Sequence, residues 1–367
     1  DSIYEYPMQQ GGGNDGRPYS FGRPSSGGSK AAYPCKSYGQ GRINPAYFYG
    51  VFDPNDMRRD VSITMTGSNG KGVEKLIPFV PNSKAEGGGL TLNKWDENRQ
   101  ANPWVAAQRK SGINGPYMRM SEVYLGYAEV CAALGDVVTG KQYLKTVRER
   151  SFPQGLANTD AFIASFGNDL VRAIIEERGF EYAGEGDRRW TLIRSGYLPE
   201  DIKRIKDMTK AMMDGLATKG YYEFENGNII SAYIWTKLVD AKTIYGHRLT
   251  AQCPTDKVND PVLYPGWRGQ KDNWEEMGLN YGSSTPATNL AIKGLFEIVS
   301  EEEAASLESQ GYAKVNWGID LVDYRDEYDK YLFWDYDYVS APIYLWPFTP
   351  NVMAAGGFTN GYGFKQE

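Results

Sequence analysis

Histidine is almost absent from this chain: His247 is the only one among 367 residues. That shortage removes most acid–base relays, the Ser-His-Asp arrangement and histidine-built metal sites together. His247 lies in IYGHRLT and reads as a loop or packing residue. Cysteine is scarce as well. Cys35, Cys131 and Cys253 are odd in number and lack metal-type spacing. Cys131 falls on the apolar side of a predicted helix as a small hydrophobe, and pairing of Cys35 with Cys253 stays open. No Gly-x-Ser-x-Gly, P-loop or Gly-x-Gly-x-x-Gly element occurs. No apolar run approaches the length of a bilayer span. Nor is charge of one sign concentrated: the net charge is −6, with acids and bases intermixed. A nucleic-acid partner is therefore not expected. The opening, DSIYEYPM, alternates as a strand does, and the chain is expected to be a processed or truncated piece of something longer.

What is present is a helical pattern in the middle of a loop-rich chain. The hydrophobic share of 41% supports a real core. Arg119–Gly196 reads as two helical hairpins back to back. In the first helix Met120, Val123, Tyr124, Tyr127, Ala128, Cys131 and Leu134 form one apolar stripe at helical spacing. A short turn follows, so the next helix lies antiparallel, with Leu144 and Val147 inward. Leu170, Val171, Ile174, Ile175 and Tyr182 form the inner stripe of the second hairpin, and a further helix starts at Pro199. Tyr124, Tyr127, Ala128 and Gly135 fall where a tetratricopeptide repeat wants an aromatic, a large residue, a small residue and a turn. Strands are expected at Ile3–Tyr6, Val61–Met65 and Leu90–Trp95. A hairpin turn is expected at Asn226–Gly227, and one or two helices within Ala287–Gly311. The predicted class is mainly α, with tetratricopeptide-like helical hairpins beside a large irregular, loop-rich part containing short β-strands. Residues 1–115 form the loop-rich region with short strands and the ligand-binding part. Residues 116–220 form the hairpins, and residues 221–367 an irregular C-terminal region whose short helices pack on them.

Carboxylates are plentiful, and a glycoside hydrolase needs only two across a cleft. Asp320–Asp337 could supply such a pair; its simpler role is a solvated polar face. The same stretch, or Asp53 with Asp56, could hold a structural calcium ion, although neither has the spacing of a calcium loop. No other cofactor is expected. Glu176, Glu177, Arg178, Glu181, Glu185, Arg188, Arg189 and Arg194 alternate in sign at helical spacing, which predicts an ion-pair network locking one helix to the next. Aromatic residues make up 14% of the chain, with 27 Tyr and 9 Trp, and many fall in loop-like segments. A flat ring covers the apolar C–H face of a sugar, while polar side chains bond its hydroxyls.

The second hairpin, AIIEERGFEYAGEGDRRWTLIRSG, resembles the SusD/RagB signature, in which a Glu-Arg helix runs into Glu-Gly-x-Arg and a Leu-x-Arg-x-Gly close. The first helix resembles the family's Arg-x-x-Glu-x-x-Leu-x-x-Ala-Glu pattern through Arg119, Glu122, Leu125, Ala128 and Glu129. FDPNDMRRDVSI is similar to the family's Asp-x-Arg turn, and IYLWPFTPNVMAAGGFTNGYGF to its C-terminal close. Thr191 stands where family members usually carry Asp, which removes one expected salt bridge. Family proteins also begin with a lipoprotein signal, an anchoring cysteine and an earlier pair of helical repeats, so the likeness covers the C-terminal two-thirds of such a protein.

The resemblance implies a nutrient-binding lipoprotein on the outer face of a Bacteroidetes outer membrane. Such a protein acts as the lid of a SusC-like TonB-dependent transporter and captures an oligo- or polysaccharide without transforming it. It contacts the membrane only through a lipid anchor absent from this chain. The helical repeats are implied to face the transporter. The loops before the first hairpin are implied to carry the ligand contacts, for which Tyr38, Tyr47, Tyr49, Trp95 and Trp104 are the candidate rings, with Arg42 and Asn93 as polar partners. Two other functions fit the residues: a hydrolase using the Asp320–Asp337 carboxylates, and a repeat scaffold that grips peptides.

Overall fold

The structure, a computed structural model, describes residues 2–9, 43–68, 74–77, 90–95, 112–153, 155–240, 288–323, 344, 348–357 and 359. Helices dominate. They are α1 (Arg58–Ser62), α2 (Met120–Ala133), α3 (Val137–Arg148), α4 (Thr159–Ala164), α5 (Leu170–Glu181), α6 (Asp187–Ser195), α7 (Leu198–Lys219), α8 (Glu301–Ser309), α9 (Trp317–Asp323) and α10 (Pro350–Gly356), with a π-helical segment at Ala46–Val51. The strands are short: β1 (Ser2–Tyr6), β2 (Ile63–Thr64), β3 (Thr66–Ser68), β4 (Glu74–Leu76), β5 (Thr91–Leu92), β6 (Gly115–Arg119), β7 (Tyr221–Glu223), β8 (Ile229–Ser231), β9 (Tyr233–Asp240), β10 (Thr288–Lys293) and β11 (Ala313–Asn316). They pair antiparallel as β1–β6, β2–β5, β3–β4, β7–β8 and a three-stranded sheet in the order β10–β9–β11.

The helical hairpins start where the sequence places its caps. Asp136, Asn158 and Asp169 each accept a hydrogen bond from a backbone N–H three residues on, opening α3, α4 and α5. Left-handed Gly196 and Gly220 close α6 and α7. Leu125, Ala128, Leu144, Val147, Ile163, Leu170, Ala173 and Ile174 bury the space between α2, α3, α4 and α5. A second core joins the π-helical segment, α7 and the sheets through Phe48, Phe52, Phe180, Met212, Met213, Ile230, Ile234 and Ile292.

One expectation is corrected. The α2 stripe is rotated: Ser121, Leu125, Ala128 and Cys131 face inward, whereas Met120, Val123, Tyr127 and Leu134 are exposed. The helix is apolar on two sides, so periodicity finds the helix without finding which side packs. Within Ala287–Gly311, where one or two helices are expected, Glu301–Ser309 is helix, begun by a capping box of Ser300 and Glu303, and Thr288–Lys293 forms the strand β10, which the sequence does not signal. The partner of β10 is β9, more than forty residues earlier in the chain, and that pairing overrides local preference.

The charged run forms the network the sequence predicts. On α5, Glu176, Glu177 and Glu181 are at most 3% exposed. Glu176 accepts from Arg188 at 2.7 Å and Arg204 at 3.1 Å, and both Arg172 and Arg188 also pair with Asp201 of α7. Glu177 meets Arg58 at 2.6 Å and Arg148 at 3.0 Å. Glu181 meets Arg58 at 3.0 Å, Arg119 at 2.7 Å, and Arg150. Helices α1, α3, α6 and α7 are thereby joined to α5. Where an Asp was expected at position 191, Arg178 donates to Thr191 at 3.1 Å and pairs with Asp187 at 2.5 Å, so Asp187 supplies the carboxylate.

Candidate functional site

The sequence-predicted contacts divide into two groups. Tyr38, Arg42 and Trp104 lie outside the described residues, as do His247, Cys35 and Cys253. Tyr47, Tyr49, Asn93 and Trp95 pack inward. Tyr49 is 4% exposed, its ring edge-on to Phe296 at 5.0 Å. Tyr47 lies on the π-helical segment against Phe48 and Phe180, with the Arg188 guanidinium 5.4 Å from its ring centre. Burial pushes its phenol well above the usual range. Asn93 and Trp95 are turned in because β5 pairs with β2 and Lys94 straps the same segment to α5. The Lys94 ammonium reaches the Glu181 carbonyl at 2.7 Å and Glu185 at 2.5 Å. The structure therefore makes Tyr49 part of the core and packs a half-buried Tyr47 against it.

Exposed rings gather instead on the β1–β6 ribbon. Tyr4, Tyr6 and Tyr117 are each more than half exposed. Tyr6 stands opposite Gly115. A glycine in that place leaves bare the flank of the ring that a side chain would otherwise cover. The result is a hollow of about 190 Å³ lined by Tyr6, Met8, Gly115 and Tyr117. Beside it Tyr4 lies edge-on to Tyr117 with centroids 5.6 Å apart. Asn114 fixes the rim from both ends of its amide. Its Oδ1 accepts the Met8 N–H at 2.8 Å, and its Nδ2 donates to Glu5 at 2.7 Å. That bond, with a smaller contribution from Ser2, holds the Glu5 carboxyl below its ordinary range, so Glu5 is ionised and its charge is tied to the rim.

This hollow is smaller than the ~300–1,000 Å³ of an enclosing ligand pocket. It can seat one ring of a longer molecule lying across the ribbon. Its rings suit stacking, and the Asn114–Glu5 pair at its rim suits hydrogen bonding. A larger groove of about 550 Å³ between α3, α4 and the start of α5 is lined by Lys141, Asn158, Asp160 and Ile163 among others, with no aromatic ring. Strand alternation in SIYEY puts Tyr4 and Tyr6 on the same side of an ideal strand, which was legible. Their partner strand, 106 residues away at the Met8–Asn114 bond, was not.

Among the described residues no group of three or more His, Cys, Asp or Glu could hold a metal ion. Asp56 is engaged by Arg58 at 2.6 Å, and Asp53 accepts the Asn55 N–H at 2.8 Å. Of Asp320–Asp337 only residues 320–323 are described. No helix of the described residues is long and apolar enough to cross a membrane.

Comparison with known proteins places this architecture. SusD-like protein P25 of Formosa agariphila is 28% identical over 160 residues, which is 43% of this chain and 26% of that protein. The match thus spans about a quarter of the relative's length. A SusD superfamily protein from Bacteroides vulgatus aligns at 20% identity with a TM-score of 0.30, covering 44% of this chain and 33% of that one. A second, from Bacteroides fragilis, aligns at 18% identity with a TM-score of 0.32, covering 52% and 40%. Residues 1–349 match the profile of the SusD family, and the chain belongs to that family.

Proposed function

We propose that this chain binds glycans at the cell surface without transforming them, for delivery to a SusC-like TonB-dependent transporter in the outer membrane. A lipid anchor would hold it at the extracellular face. Family membership supports the glycan-binding role. The observation that carries it to particular residues is the tyrosine hollow around Gly115. Tyr6 and Tyr117 offer ring faces to a sugar, Met8 lines the hollow beside them, and the Asn114–Glu5 pair offers hydrogen bonds at the edge. Tyrosine loses little rotamer freedom on binding, which suits a platform formed in advance. Tyr38, Arg42 and Trp104 belong to the same proposal as further contacts.

Affinity electrophoresis against neutral polysaccharides tests it. The chain is expected to be retarded by at least one of them, and Tyr6→Ala with Tyr117→Ala to weaken that retardation by about tenfold. Unchanged retardation in the double variant would remove the hollow from the proposal. New reducing ends released on incubation would replace binding by hydrolysis.

A further inference from the structure

A second surface has a different chemistry. On the sheet β10–β9–β11, Ile234 and Ile292 face the core and are fully buried. Strand alternation puts Trp235 and Lys237 on the other face. Lys293 of β10 and Lys314 of β11 both stand in register with Trp235, one on each side. With strands about 4.8 Å apart, these two lysine backbones lie roughly 10 Å from one another across the sheet. Lys237 is two residues further along β9, or about 7 Å.

The three ammonium groups are held over rings. Lys314 is 4.5 Å from the Tyr233 ring centre and 5.4 Å from that of Trp235. Lys237 and Lys293 share one ring, Tyr312, at 5.7 and 5.1 Å. Lys237 also donates to the Gln310 carbonyl at 2.7 Å. No carboxylate of the described residues pairs with any of the three lysines. Beneath them Trp235 is 3% exposed, and its indole N–H has no hydrogen-bond partner.

Among the described residues this face is therefore made of ammonium groups and rings without a carboxylate to balance them. Two cations directed at one phenol repel each other, and a shared counter-anion relieves that repulsion. A chain of net charge −6 gives no general reason for such a patch. From this we infer that the β10–β9–β11 face is a binding surface for an acidic saccharide, one bearing carboxylate or sulfate groups, whose sugar faces meet Tyr233 and Tyr312 while its anions meet Lys237, Lys293 and Lys314. The choice of a saccharide over another polyanion rests on the glycan-binding reading above. The surface lies on different elements from the tyrosine hollow and extends the range of ligands to charged ones.

The experiment uses the full chain in affinity electrophoresis with polygalacturonate, a neutral glucan, polyglutamate and duplex DNA, at low and raised salt. Wild type is expected to be retarded by polygalacturonate, with the effect reduced by salt. Lys237→Gln, Lys293→Gln and Lys314→Gln together are expected to weaken it by about tenfold. The triple Lys→Arg variant is expected to keep it, and circular dichroism and melting of the Gln variant to match wild type. Tyr6→Ala with Tyr117→Ala should leave polygalacturonate binding intact, so loss of neutral-glycan binding alone strikes the hollow and not this face. Absence of retardation by polygalacturonate, equal retardation of the Gln variant, or equal retardation by polyglutamate or DNA would overturn the inference.

Discussion

At the scale of single residues, Gly179 shows how tightly the charged seam is packed. A Cβ there would collide with the Tyr47 hydroxyl and come within 2.7 Å of the Arg188 guanidinium. Arg188 cannot withdraw freely, because it is bonded to Glu176 and to the Ile175 carbonyl. Gly179→Ala is expected to destabilise the fold by about 1–3 kcal/mol, the usual range for overpacking, read as a lower urea midpoint with an unchanged slope. Tyr47 and Tyr49 teach the corresponding lesson about the site. Both stand in sequence that looks like loop, yet Tyr49 is core and Tyr47 packs half-buried against it, because the π-helical segment inserts between α7 and the β7–β8 hairpin. The Asn228 amide locks that insertion by donating to the Gly50 and Phe52 carbonyls at 3.0 and 2.8 Å. Residue type marks a ring as able to stack; only tertiary placement decides whether its face is open.

Among elements, α5 is the one on which the others converge, and its carboxylates make the fold sensitive to acid. Burial pushes Glu176 upward, but Arg188, Arg204 and Arg172 together outweigh burial and hold it at about 2, below its ordinary 4.5. Burial likewise pushes Glu181 upward, and Arg58, Arg150, Arg119 and Lys94 likewise outweigh it, so its carboxyl is held lower still. A carboxyl depressed in the folded state contributes stability that is complete above its unfolded pKa and disappears as pH falls toward its folded one. The melting temperature is therefore expected to hold near neutrality and to fall between pH 4.5 and about 2. Glu176→Gln should lower it already at pH 7, since three arginines would lose a buried counter-charge, at a cost of ~3–5 kcal/mol. A melting temperature that ignores pH across that window would contradict this account of the seam. The helices and the alternating charges behind the seam were legible because both follow a local period. The phase of α2 was not, since Leu125 and Val123 are equally apolar. Strand β10 was not, since its partner is remote.

Over the whole molecule, apolar surface is distributed unevenly. Met120, Val123, Tyr127, Val130 and Leu134 form an exposed stripe along α2, continued by Val137 and Val138 at the start of α3. An apolar strip of this kind lowers solubility wherever it meets water. The chain on its own is expected to self-associate as concentration rises in sedimentation experiments. Val123→Glu with Val130→Glu should suppress this without lowering the melting temperature, because neither side chain supports the interior. Unaltered association in that variant would assign it to another surface.

The choice of denaturant will matter for this protein. Its central joint is held by guanidinium groups on carboxylates, and guanidinium chloride supplies the same cation in excess, together with salt. Urea brings neither. Conformational stability extrapolated from guanidinium titrations should thus come out smaller than that from urea, and urea supplemented with sodium chloride should close part of the gap.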